Sequence, residues 1–426
     1  MSEFVIEGGV KLQGEVTASG NKNAAVALLP CTLLADEPVT LHNVPRIRDV
    51  LTMLKLMQTL GATAEWLGEN SVRIDASSVN SCTLDPIICR EMRASILLAG
   101  PMLARCGNIE LPPPGGDVIG RRRIDTHFLA LRELGAQVTV DRNFSLKATQ
   151  LVGTDIMLDE ASVTATENAV MAAALAKGIT ILRNAASEPH VQDLCNLLVL
   201  MGSQIEGIGS NTLTIHGRGR LHGAEYTIGA DYIEVASFIA LGAISGGGRG
   251  LWIRKASPQQ HRMTRIMMSK LGVAFDVHDE DIFVPGLQTL ATGREIDGYM
   301  PTIKDAIWPG YPADAMSPLI VAATQARGSV LIHECMYESR LFFVDKLIGM
   351  GAQIVLCDPH RCVVQGGSRL RGEAIQSPDI RAGLALVLAA LVAEGTSVIG
   401  NVQQIDRGYE NFEAKLRGLG AQIERR

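Results

Sequence analysis

Apolar and polar positions along this chain follow two interleaved rhythms. In the first, an amphipathic stretch ends in Leu or Met, then Gly and a small residue, and strict alternation follows. This occurs at Gly61 (QTLGATAEW), Gly135 (RELGAQVTV), Gly202 (VLMGSQIEG), Gly272 (SKLGVAFDV), Gly351 (IGMGAQIVL) and Gly420 (RGLGAQIER), roughly 70 residues apart each time. Gly supplies the left-handed cap that ends a helix, and the alternation after it predicts a half-buried strand. In the second rhythm an apolar helix, a turn and a strand follow one another, as in LLADEPVTLHNV, LARCGNIELP, LAKGITILRNA, ISGGGRGLWIRKA, TQARGSVLIHE and LVAEGTSVIGNV. Ala165 to Lys177, Ile233 to Ser245 and Asp379 to Glu394 are apolar nearly all round, which predicts helices enclosed on every side. Six amphipathic helices thus alternate with six buried ones. The economical architecture is six α/β units, three per domain, with sheets and amphipathic helices outside one buried helix per unit.

Composition narrows the class. A chain of 426 residues is too long for one ordinary core, so two or three domains are expected, and 47% hydrophobic residues can fill them. A formal net charge of -6 argues against nucleic acid or a polybasic membrane contact as partner. The first twenty residues carry acids and no signal-type apolar run, and no later stretch is long and uncharged enough to span a bilayer, so a cytoplasmic location is expected. The eight cysteines form no Cys-x-x-Cys pair and no cluster with histidine; neither zinc nor a disulfide framework is indicated, and buried thiols are expected.

The chemistry collects at the amino ends of the buried helices. These carry Lys22 and Asn23; Arg93; Ser162, Thr164 and Thr166; Asp231 and Glu234; Asp314; and Asp379 with Arg381. A helix amino terminus presents unpaired N–H groups and about half a positive charge, so it favours anions. Capping accounts for most of the acids, Ser and Thr. It does not account for Lys22, Arg93 or Arg381, whose charge has the wrong sign, and this suggests an anionic ligand such as phosphate or carboxylate. A second feature is the stretch from Leu111 to His127, with three prolines, three glycines, Asp117 and then three arginines. It cannot be a helix or an inner strand and is expected to be a loop, either a lid over a ligand or a solvated charge run beside a proline stiffener.

Several motifs carry a resemblance. Gly-Asn-Lys-Asn-Ala-Ala (20 to 25), Met-Arg-Ala-Ser (92 to 95), Pro-Gly-Gly-Asp-x-Ile-Gly-x-Arg (114 to 122), Tyr-Pro-Ala-Asp (311 to 314), Glu-Ser-Arg (338 to 340), Asp-Ile-Arg-Ala (379 to 382) and Ile-Asp-Arg-Gly-Tyr-Glu (405 to 410) resemble, in order and over the whole chain, the nucleotide-sugar branch of the enolpyruvyl transferases. The resemblance implies two inside-out α/β barrel domains, each of three repeated units around buried helices. It places one domain at 22–230 and the other at 1–21 plus 231–426. It also implies transfer of the enolpyruvyl group of phosphoenolpyruvate to the 3-hydroxyl of UDP-N-acetylglucosamine with release of phosphate, the first committed step of peptidoglycan synthesis, with no metal or organic cofactor.

Residue by residue, the resemblance assigns Lys22, Arg93, Arg122, Arg381 and Arg407 to the phosphate and carboxylate of phosphoenolpyruvate. Asn23 and Asp314 fall on the acceptor hydroxyl, with Asp314 as the base; Asp379 positions Lys22 and the intermediate; and Met336 joins the substrate contacts. Asp117 stands where a cysteine is usual and is the implied general acid. Four positions on the acceptor side depart from the family pattern: Arg123 for a proline, Glu160 for a basic residue, Thr164 for a glycine and Tyr232 for an arginine. Two other readings stay open on the sequence: transfer to a different nucleotide or phosphorylated acceptor, and a non-catalytic nucleotide-sugar-binding homologue.

Overall fold

The computed structural model describes residues 2–116 and 122–426. The chain divides into two compact units, one made of 2–19 with 230–426 and the other of 20–116 with 122–229. Each has its own apolar core.

Among the described residues there are six sheets, three per unit, five of four strands and one of three. None closes on itself, so each unit is built of separate open sheets. In the first unit the amino-terminal strand Glu3–Glu7 lies between Thr396–Gly400 and Gln422–Arg425, antiparallel to both, with Val5 opposite Val398 and Glu424. Leu12–Thr17 runs parallel to Gly246–Arg254. These pairings tie the start of the chain to its carboxyl-terminal half.

Both rhythms of the sequence become structure. The glycines that end the amphipathic helices, Gly61, Gly135, Gly202, Gly272, Gly351 and Gly420, all have positive φ, between 77° and 103°, the region that a side chain disfavours. The second rhythm gives the helices Lys22–Cys31, Ala99–Cys106, Val163–Ala174, Tyr232–Ser245, Met316–Gln325 and Ile380–Val392. In Tyr232–Ser245 and Ile380–Val392 nearly every residue is buried. Apolar composition on all sides is what allows a helix to be enclosed in this way.

Two expectations need correcting. The stretch 111–127 is not loop throughout: Leu111 ends the strand Asn108–Leu111, and Asp125 opens the helix Asp125–Glu133, with Thr126 and His127 buried in its first turn. Those residues continue into the apolar face of FLAL, and burial of that face extends the helix back to them. The cysteines are also not uniformly buried. Cys31, Cys89, Cys195 and Cys362 are, but Cys335 and Cys357 are exposed in a turn and on an edge strand.

Candidate active site

Each unit places part of the expected set at its helix heads. In the unit of 20–229, Asn21 caps the helix Lys22–Cys31 by accepting from the Ala24 amide at 3.0 Å, which leaves Lys22 and Asn23 on its first turn. Lys22 Nζ lies 3.1 Å from Asp49 Oδ2, with both side chains largely buried. Asp49 sits in the first turn of Arg48–Thr59, where the helix dipole favours a carboxylate. Arg93 opens a 3-10 turn, Arg93–Leu98, that runs into the helix Ala99–Cys106. Its Nη2 donates to the carbonyl oxygens of Arg122 at 2.7 Å and Arg123 at 2.9 Å. The Pro-Gly-Gly segment lies flat against this head: a Cβ on Gly115 would fall 1.8 Å from the Arg90 oxygen, and one on Gly116 (φ +106°) 2.9 Å from Arg93 Cβ. Only glycine permits that approach. Asp117, the expected acid, lies outside the described residues.

A neutral network stands beside Arg93. Asn168 accepts from the Gly100 amide and donates to the Ile96 oxygen, so its amide orientation is fixed, and it therefore also donates to His127 Nδ1 at 2.8 Å. The His127 proton is then on Nε2, which donates to Thr164 Oγ1 at 3.1 Å. Burial first, and the charge of Arg93 second, push the His127 pKa down to about 3, so the ring is uncharged. Thr164, a departure from the family pattern, thus has a defined partner. Two more departures compensate one another, since Arg123 lies 2.7 Å from Asp159 and 3.9 Å from Glu160. Where the pattern loses a cation at 160, this chain gains one at 123.

In the unit of 230–426 the head residues form one ionic cluster. Asp314 lies in the 3-10 turn Ala313–Ala315 ahead of Met316–Gln325, one residue before that helix's cap position, Ala315. Its Oδ1 accepts from Arg340 Nη2 at 2.6 Å and Oδ2 from Arg381 Nε at 3.0 Å. Asp379 does cap its helix, accepting from the Arg381 and Ala382 amides at 2.8 and 3.0 Å, and lies 3.8 Å from Arg340 Nη1. Arg381 Nη1 donates to Tyr409 Oη at 2.7 Å. Burial works against the charge of Arg340, but Asp314 and Asp379 more than offset it and hold its pKa above the ordinary arginine value. Burial likewise opposes Arg381, and Tyr409, Asp314 and Asp231 outweigh it. Arg407 is buried and donates to Gln404 at 3.0 Å, and Met336 is 40% exposed. Tyr232 is buried with its ring 5.7 Å from that of Trp308.

The cations at the helix heads therefore differ from expectation in one respect. Two of them, Lys22 and Arg381, find a counter-charge in the protein itself, Asp49 and Asp314 respectively, whereas Arg93 is bonded to carbonyl oxygens. Neither Arg340 nor Tyr409 is among the residues expected from sequence, although both lie in the Glu-Ser-Arg and Ile-Asp-Arg-Gly-Tyr-Glu motifs.

Fold and clusters define a two-unit α/β protein whose buried helices end in guanidinium, ammonium and carboxylate groups. Comparison with known proteins gives that class a family. The family model described as EPSP synthase (3-phosphoshikimate 1-carboxyvinyltransferase) matches residues 6–416. The chain is 54% identical to UDP-N-acetylglucosamine 1-carboxyvinyltransferase of Bradyrhizobium diazoefficiens, covering 99% of this chain and 98% of that one. It is 51% identical to the protein of the same name from Treponema denticola, over 100% and 99%. The solved structure of the enolpyruvyl transferase NikO from Streptomyces tendae superposes with a TM-score of 0.88 at 26% identity, covering 100% of this chain and 98% of that one. The chain belongs to the enolpyruvyl transferase family.

Proposed function

We propose that this protein transfers the enolpyruvyl group of phosphoenolpyruvate to the 3-hydroxyl of UDP-N-acetylglucosamine and releases phosphate, the first committed step of peptidoglycan synthesis, in the cytoplasm. The observation that carries the chemistry is Asp314, a carboxylate held on both oxygens by the buried Arg340 and Arg381. The acceptor follows from the names of relatives about half identical over their full length.

The reaction balances with this chain's residues. Asp117 gives a proton to the methylene carbon of phosphoenolpyruvate, and C2 becomes an oxocarbenium-like centre. The sugar hydroxyl attacks C2 as Asp314 takes its proton, which gives a tetrahedral ketal. Asp117, left as a carboxylate, takes a proton back from the new methyl group as phosphate departs with the proton held by Asp314, which restores the double bond on the sugar. Lys22, Arg93, Arg122, Arg381 and Arg407 neutralise phosphate and carboxylate, Asn23 and Met336 contact the acceptor, and Asp379 keeps the head of its helix in place. Positioning and charge stabilisation of this kind supply much of the rate for anionic reactants. On substrate binding, the carboxylates of Asp49 and Asp314 share their cations with the ligand.

Phosphate release from phosphoenolpyruvate, measured against a panel of UDP-N-acetylglucosamine, other nucleotide sugars and shikimate 3-phosphate, tests this reading. Release with UDP-N-acetylglucosamine alone is expected. Release with another acceptor in preference to it, or binding of the nucleotide sugar without release, contradicts it.

A further inference from the structure

The strands Thr302–Lys304 and Ser329–His333 run parallel, with Lys304 opposite His333. The next residue on each strand is a carboxylic acid, so Asp305 and Glu334 leave the sheet side by side, and both are completely buried. One oxygen of each is fixed by amides of the turn that follows. Asp305 Oδ1 accepts from Cys335 at 2.5 Å, and Glu334 Oε1 accepts from Met336 and Tyr337, each at 3.2 Å. The other oxygens, Asp305 Oδ2 and Glu334 Oε2, are buried and have no donor, while the two carboxyls lie within hydrogen-bonding reach of each other. Two buried carboxylates side by side repel, and each leaves an acceptor unsatisfied. A proton between the two orphan oxygens removes one charge and supplies the missing donor.

The turn they hold runs from Glu334 to Arg340. It carries Met336 near its start and delivers, at its end, the guanidinium that donates to Asp314. We propose that Asp305 and Glu334 share a single proton and act as a positioning pair, locking this turn so that Arg340 is fixed against Asp314. The role for Asp314 rests on the function proposed above; the shared proton does not.

The charged and titratable groups around the pair are Lys304 on its own strand, Cys335, Tyr337 and Arg340 on the turn, and His360 from the neighbouring hairpin. His360 Nδ1 donates to the Glu334 carbonyl oxygen at 2.8 Å and keeps that donor whether or not the ring is charged. Arg340 favours ionised Glu334, but burial first and Asp305 second outweigh it and drive the Glu334 pKa up to about 9. This folded value lies above the ordinary 4.5. Folding therefore takes up a proton between the two values, and the site's contribution to stability, full below the lower one, is lost as pH rises toward the upper. Above it the second charge loosens the turn and frees Arg340 from Asp314.

The test compares the full-length parent with Asp305→Asn, whose amide donates permanently to Glu334, and with Glu334→Gln, which repeats the substitution from the other side. Urea unfolding followed between about pH 6 and about pH 8.5 should show parent stability falling with pH more steeply than in either variant, by about one proton per chain. Glu167, whose pKa burial also raises, is common to all three and cancels. In phosphate-release assays the alkaline limb of kcat/KM should move up by about one pH unit or vanish in Asp305→Asn. Equal unfolding slopes overturn the shared proton. Unequal slopes with an unmoved alkaline limb overturn its link to Asp314. A parent that releases no phosphate at any pH refutes the functional reading alone, and the slopes still decide the proton.

Discussion

The helix heads of the two units share a scaffold and differ in chemistry. In the unit of 230–426, charge is kept and paired: Asp314 bridges Arg340 and Arg381, Asp379 stands 3.8 Å from Arg340, and Tyr409 closes the set. In the unit of 20–229, one buried ion pair, Lys22 with Asp49, is followed by a polar network with no net charge, in which His127 is neutral between Asn168 and Thr164. The comparison teaches that the repeated architecture fixes where chemistry is placed and leaves its kind open. One unit sets a carboxylate between two cations. The other pairs Lys22 with Asp49 and sets Arg93 against carbonyl oxygens and a neutral network.

The largest expected effect concerns Asp117, which follows directly on the Gly115–Gly116 segment laid against Arg93. Asp117→Asn should lower turnover by about two to four orders of magnitude, the usual range for loss of a general acid. The arginines beside it in sequence favour its charged form, so the proposed acid role requires that the substrate's own negative charges bring its proton on arrival. An aspartate is also a poor nucleophile toward epoxides. The parent should resist inactivation by fosfomycin, and Asp117→Cys should become sensitive while keeping some turnover. Time-dependent alkylation of the parent at 117 would remove the acid role.

Next in size is the ionic cluster itself. Arg340→Gln removes one of the cations that hold Asp314, and removing one partner of a buried pair costs on the order of 3 kcal/mol. Chemical denaturation should show that loss, and kcat should fall with it. A variant as stable as the parent would show that Arg340 contributes no more than a surface charge.

How much of this was legible in sequence depended on how local each signal is. The six glycine caps were readable because a positive φ leaves its mark on one residue and alternation marks the next few. The heads were readable because polar residues interrupt apolar helices there. Partners were not readable: Asp49 is 27 residues from Lys22, and Arg340 lies 26 from Asp314 and 41 from Arg381, distances at which no periodicity operates. For the same reason Asp314 could be mistaken for a cap, and Arg123 and Glu160 looked like two separate departures when they face each other. Asp305 and Glu334 carry no pattern at all until two parallel strands bring them level.

Smaller effects sharpen the contrast from the neutral side. His127 has a folded pKa near 3 against an ordinary 6.5, so as pH falls through that interval the unfolded chain binds a proton that the folded chain refuses, and stability drops. His127→Gln should flatten the pH dependence of stability below about pH 6.5; an unchanged slope would mean that the ring is charged in the folded protein. Smallest of all is Arg123→Ala. Its partners Asp125, Asp159 and Glu160 are all exposed, and surface pairs of this kind contribute little. The melting temperature should not change measurably, and a clear drop would show that the unit of 20–229 depends on ion pairs as the other does.

The central claim is that Asp314 is held as a base and not as a helix cap, and Asp314→Asn tests it most directly. Titration calorimetry with UDP-N-acetylglucosamine and steady-state phosphate release should be run side by side on parent and variant. The account predicts a dissociation constant within about threefold of the parent and turnover lower by about a hundredfold or more. Equal losses in binding and turnover would make Asp314 a positioning residue. Spared activity with a stability loss of about 1 kcal/mol, the mark of a removed cap, would contradict the account outright.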